Sequence, residues 1–119
     1  MSDRQAVEQT VHLYVEGMAF ANEAALKRPF TRKSSIIGHY ENAVEWLTRD
    51  DFIAAILAEE PAPPGTQPYM DIQSVDVEGD AASVKVTDDF AGMRFTDYLS
   101  LLKIDGRWTI VGKLFHLHL

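Results

Sequence analysis

The sequence has no cysteine, which excludes a disulfide framework and any thiolate-held metal. No apolar run approaches the roughly 20 residues of a membrane-spanning helix, so no membrane partner is expected. The opening MSDRQAVEQT lacks the basic and apolar segments of a secretory leader. A cytoplasmic location is expected by elimination. Positive charge is scarce as well: 11 Lys and Arg stand against 18 Asp and Glu, for a formal net charge of −7. Nucleic acid is therefore not an expected partner, because binding there depends on Lys and Arg displacing counterions. The one basic cluster, Lys27, Arg28, Arg32 and Lys33, reads as a solvated turn. Phosphate loops, nucleophile elbows and Ser/His/Asp spacings are missing too, and no cofactor is called for.

What remains is an ordinary globular composition, 46% hydrophobic and 24% charged over 119 residues. Residues 1–119 are read as a single domain, since either half alone would bury a poor core. Val7, Val11, Tyr14, Val15 and Met18 fall on one stripe of a 3.6-residue period, predicting a helix over residues 3–20. Asn22 caps a short second helix that ends before Pro29. Ser34–His39 and Ala43–Leu47 read as strands. Thr48, with Asp51 three residues on, opens a third helix whose apolar face is Phe52, Ile53, Ile56 and Leu57. The Pro61–Pro68 stretch ends it, as a lid or a connector. From Tyr69 onward, turns at Gly79-Asp80, Ala91-Gly92 and Asp105-Gly106 separate four strands of an antiparallel meander.

If those turns are two-residue hairpins, the register follows. Around Ala91-Gly92, Asp88 pairs Phe95, Val86 pairs Asp97 and Val84 pairs Leu99. Around Asp105-Gly106, Leu101 pairs Ile110, Leu99 pairs Gly112 and Asp97 pairs Leu114. Around Gly79-Asp80, Val75 pairs Val84 and Asp71 pairs Asp88. One face then gathers Val75, Val77, Val84, Val86, Leu99, Leu101, Trp108, Ile110 and Leu114 as the core. Asp71, Asp88, Asp97 and His116 share that face at one end, with Asp88–Asp97 and Asp97–His116 as diagonal pairs about 7–8 Å apart. Burying carboxylates is costly unless they are paired or hydrated, so this end is either open to water or a polar pocket floor.

The order helix, helix, strands, helix, four-strand meander resembles the nuclear transport factor 2-like superfamily, and within it the SnoaL-like, putative lumazine-binding group. The segments carrying the resemblance are VHLYVEGMAFANEAALKRPF, SIIGHY, VDVEGDAASVKV and, most specifically, FTDYLSLLKIDGRWTIVGKLF. The resemblance implies an α+β fold in which a cone-like, curved mixed sheet wraps around about three helices, with a cavity between them (cystatin-like in architecture). It also implies a homodimer through the outer sheet face, to which Leu102, Val111 and Phe115 would contribute. Relatives include isomerases, dehydratases and cyclases. Ketosteroid isomerase-like members place a catalytic carboxylate on the early strand, but Thr31–His39 contains no Asp or Glu, so that mechanism is not carried over. Tyr14 resembles a phenol that some relatives use. No residue set demands a pteridine-like ligand.

Two main functions follow as expectations. The first is a homodimeric module that binds a small apolar or aromatic ligand in an apolar pocket, or that serves interaction. Its ligand-binding candidates are Tyr14, Met18, His39, Trp46, Phe52, Ile56, Asp88 and Trp108. The second is a cofactor-independent isomerase, dehydratase or cyclase using Asp97 and His116 as an acid–base pair, with Tyr14 or His39 polarising an oxygen. Against that pair stands an ordinary polar sheet end, and against the cavity wall a filled core serving only dimerisation. His116 and His118 alternate to one face; with an aspartate they would form a nitrogen–oxygen metal site, or else a frayed tail. No spaced metal-binding motif accompanies them, and no metal is expected. His12, between Glu8 and Glu16, reads as a helix-surface ion partner.

Overall fold

Ser2 starts the first helix by a reciprocal arrangement: its hydroxyl accepts from the Gln5 N–H, and the Gln5 side chain accepts from the Ser2 N–H. In this computed structural model, which describes residues 1–119, helix α1 covers Asp3–Ala19 and buries the expected stripe, Val7, Val11, Tyr14, Val15 and Met18. Helix α2 (Glu23–Lys27) is capped by Asn22, and α3 (Arg49–Leu57) by Thr48, whose hydroxyl accepts from Asp51 N–H at 3.1 Å. Phe52, Ile53 and Ile56 turn inward from α3. The following loop is tied to α1 where Ala62 N–H donates to the Ala19 carbonyl at 2.7 Å.

Strands β1 (Phe30–Tyr40), β2 (Ala43–Thr48), β3 (Met70–Glu78), β4 (Ala81–Phe90), β5 (Met93–Ile104) and β6 (Arg107–His118) form one mixed sheet. Its order is β2-β1-β6-β5-β4-β3, curved and unclosed around the helices. Neighbours are antiparallel except β1 and β6, which run parallel. Three hairpins, at Glu41-Asn42, Ala91-Gly92 and Asp105-Gly106, hold both central residues at φ between 50° and 77°. That conformation gives a two-residue turn the twist its strands need. The concave face buries Val84, Val86, Leu99, Leu101, Trp108 and Ile110 against α1.

The β4–β5 register agrees with the sequence reading: Asp88 faces Phe95, Val86 faces Asp97 and Val84 faces Leu99. Two other registers do not hold along their whole length. In β6, Leu101 pairs Ile110 as expected, but Ser100 pairs Gly112, leaving Val111 as an extra residue. Beyond that bulge Asp97 faces Phe115 rather than Leu114, and every side chain from Gly112 onward swaps face. Lys113 and Phe115 therefore turn inward, while Leu114, His116 and His118 turn outward. The bulge lies where β6 meets β1: Ile110 N–H donates to the Pro29 carbonyl, and the Ser34 hydroxyl donates to the Ile110 carbonyl, each at 2.7 Å. In β3 an extra residue at Gln73 has the same effect, so Met70 faces Asp88 and Asp71 points to solvent.

Candidate functional site

Asp88 and Asp97 project from adjacent strands onto the concave face as diagonal neighbours, 1% and 0% exposed. The Tyr14 hydroxyl, reaching down from α1, donates to Asp97 Oδ2 at 2.6 Å. The other three carboxylate oxygens, both of Asp88 and Oδ1 of Asp97, have no hydrogen-bond partner if both groups are ionised. Two buried, ionised carboxylates with three orphaned oxygens are costly, and a proton on Asp88 removes one of the two charges. Burial, then the hydrogen bond and negative charge of Asp97, push the Asp88 pKa up to about 9. Of the two, Asp88 is therefore the group that keeps its proton, while Asp97 accepts from Tyr14. Burial and the two aspartates also raise the Tyr14 phenol well above its ordinary value, so it stays a donor. Asp89, one residue on, faces the other way and is held below its ordinary value by an ion pair with Arg94 at 2.8 Å.

Above the pair lies a cavity of about 150 Å³. Its walls are mainly apolar, with Met18, Ile36, Phe52, Ile56, Phe95 and Phe115 prominent, and Asp88 lies in its floor. Tyr40, Glu45 and Glu59 are lining residues that reach solvent, and the two glutamates give it an acidic mouth. Burial and the neighbouring glutamates raise the Tyr40 phenol. Lys113 enters from β6, only 7% exposed, and is the one basic side chain among the buried residues. Its ammonium lies 4.4 Å from the Phe52 ring centroid, 4.8 Å from Tyr14 and 5.6 Å from Phe115. Phe115 in turn covers Gly38 so closely that a β-carbon there would meet its ring at 2.6 Å.

Of the residues singled out in the sequence, Met18, Phe52, Ile56 and Asp88 line this cavity, and Tyr14 and Asp97 lie beneath it. Trp46 does not: it is 71% exposed on the convex face, while its neighbours Glu45 and Leu47 point in. His39 is likewise exposed, paired with Val44. Trp108 is buried at the other end of the sheet, where its indole N–H donates to Asp3 Oδ1 at 3.0 Å. His116 lies on the opposite face from Asp97, so the Asp97–His116 pair does not exist; His116 packs its ring against His118 instead. The same inversion separates both histidines from Asp88 and Asp97, dividing the candidate metal ligands between two faces. Glu8 pairs with Arg4 at 3.0 Å rather than with His12. Phe115 belongs to the cavity, not to the outer face, and so does Lys113, which an unbulged register would put on the polar outer face. The signal for both was Gly112, since an isolated glycine within a strand marks a bulge.

Comparison with known proteins places this geometry. The description of the putative lumazine-binding family matches residues 2–116. A crystal structure from Silicibacter pomeroyi DSS-3, an NTF-2 like protein of unknown function, is 40% identical with a TM-score of 0.90, covering 96% of this chain and 94% of that one. Another NTF2-like protein of unknown function, from Shewanella baltica OS155, is 28% identical with a TM-score of 0.86, covering 97% and 93%. Among characterised proteins, a relative named aldolase FrzH from Cladobotryum sp is 25% identical over 115 residues, 97% of this chain and 91% of that protein. The chain belongs to the putative lumazine-binding family, within the nuclear transport factor 2-like superfamily.

Proposed function

We propose that this protein is a cofactor-independent acid–base enzyme that moves a proton at the carbon next to the carbonyl of a small, mainly apolar molecule. The observation that carries this reading is the buried Asp88–Asp97 pair, with three unpartnered oxygens, whose Asp88 lies in the floor of an apolar cavity. A module that only stores a ligand or only dimerises has no use for buried carboxylates, which cost several kcal/mol. A pair holding one proton can both take and give one. Asp88, facing the cavity, accepts a proton from the substrate carbon on one oxygen while its own proton passes to Asp97. Tyr14 holds the far oxygen of Asp97 and fixes the direction of that relay. The acidic mouth disfavours anionic ligands and suits a neutral one. The name of the aldolase relative fits the same class, since forming an aldol bond begins by removing a proton next to a carbonyl.

Hydrogen–deuterium exchange tests this directly. Small ketones and aldehydes are incubated with the protein in heavy water, and loss of the α-hydrogen signal is followed by NMR. Exchange above the buffer rate is expected, and Asp88→Asn and Asp97→Asn should each lower it about 100-fold or more. Wild-type rates in both variants would remove the carboxyl pair from the chemistry.

We infer further that two copies of the chain associate through the convex face. Trp46, Ile37, Leu114 and Tyr98 are register partners in sequence across four adjacent strands, forming one apolar row. Three of them are large and well exposed: Trp46 at 71%, Leu114 at 53% and Tyr98 at 47%. An apolar row of that extent on a convex sheet suits a self-complementary, two-fold contact.

A further inference from the structure

The acid–base reading leaves Lys113 without a task. The residue is only 7% exposed in the cavity wall, yet its ammonium takes part in no ion pair and no hydrogen bond. Every ion pair in the fold uses other, more exposed cations: Arg4, Lys27, Arg49, Arg94 and Lys103. The contacts Lys113 does make are with the faces of Phe52, Tyr14 and Phe115. Asp88 feels its charge but lies beyond ion-pair distance. Both side chains line the same cavity, and a substrate carbonyl would fit between them.

We propose that Lys113 is a nucleophile that forms an imine with the carbonyl carbon of the substrate, so that the cavity takes small aldehydes or ketones as covalent ligands. This deepens the acid–base reading and rests on it for the handling of protons. The ammonium gives one proton to the Asp88–Asp97 pair, which has room for it, and the free amine attacks the carbonyl carbon. A carbinolamine forms, and its hydroxyl takes the proton back and leaves as water. The sum is ammonium plus carbonyl giving iminium plus water, with one positive charge on each side. The three rings that surround the ammonium hold the iminium equally well, because the charge stays in place. The iminium then draws electrons from the neighbouring C–H bond, which Asp88 faces. A second feature agrees: a cavity of about 150 Å³ is of the size that accommodates a benzene ring.

Benzaldehyde isolates the step, since it has no hydrogen on the carbon next to its carbonyl and cannot enter the proton-transfer reaction. The intact protein is treated with benzaldehyde and sodium cyanoborohydride, digested, and mapped by mass spectrometry. Label on Lys113 should exceed that on each of Lys27, Lys33, Lys85 and Lys103 by about tenfold or more. Lys113→Arg, which keeps the charge but forms no imine, should abolish the labelling at this site and lower α-hydrogen exchange of a ketone. Label spread evenly over the five lysines would overturn the proposal, as would wild-type exchange in Lys113→Arg. The wild-type map decides even if that variant does not fold. If Lys113 is unlabelled while Asp88→Asn still abolishes exchange, the covalent step falls and the acid–base reading stands. If Lys113 is labelled while Asp88→Asn exchanges normally, the imine stands and the carboxyl pair does not.

Discussion

Replacing Asp88 with asparagine keeps the shape of the side chain and its ability to donate to Asp97, but removes its titration. In the folded protein the Asp88 pKa is raised to about 9 from an ordinary value of 3.8. Between these values the native state holds a proton that the unfolded chain has released. Stability from this group is fully present below the lower pKa and is lost as pH rises through the upper one. The slope in that window is about −1.4 kcal/mol per pH unit, so going from about pH 5 to about pH 8 removes about 4 kcal/mol. A domain of this size has only about 5–15 kcal/mol in total. Asp88→Asn lacks this loss, and titrating groups that do not face Asp88 are common to the two proteins and cancel. Asp89, held low by Arg94, works with the opposite sign and only in acid, outside the window. Urea unfolding across this range, followed by tryptophan fluorescence, should show the variant gaining on wild type by about 1.4 kcal/mol with each pH unit. Parallel stability curves would mean that Asp88 is ionised in the fold, and the shared-proton argument would fail.

Leu114→Glu places a charge in the middle of the convex row and should convert the dimer to monomer in analytical ultracentrifugation, with the circular dichroism spectrum unchanged. A monomeric wild type would remove the association proposal. Gly38→Ala puts a methyl group 2.6 Å from the Phe115 ring and should destabilise the fold by about 1–3 kcal/mol in urea. Adding Phe115→Leu should recover part of that loss, whereas strict additivity would show that the clash is not between those two residues. Ala91 sits at φ 52° in its hairpin, a conformation that asparagine tolerates better, so Ala91→Asn should stabilise by roughly 0.5–1 kcal/mol. An unchanged or lower melting temperature would contradict the strain argument.

Much of the fold is written locally. Asn22 and Thr48 announce their helices because a side-chain oxygen beside a free N–H works wherever the helix packs. The Ala91-Gly92 turn couples β4 to β5 over a few residues, which is why the sequence alone places Asp88 and Asp97 side by side on the concave face. Lys113, Phe115 and His116 are different. Their orientation depends on one extra residue at Val111, inserted where β6 exchanges hydrogen bonds with Pro29 and Ser34, some eighty residues away in the chain. Side chains alternate with a period of two, so that insertion turns a lysine and a phenylalanine inward and a histidine outward together. Local preference therefore determined the helices, the turns and the carboxyl pair. The parallel contact between β1 and β6, formed only when the whole sheet assembles, decided which cation faces that pair.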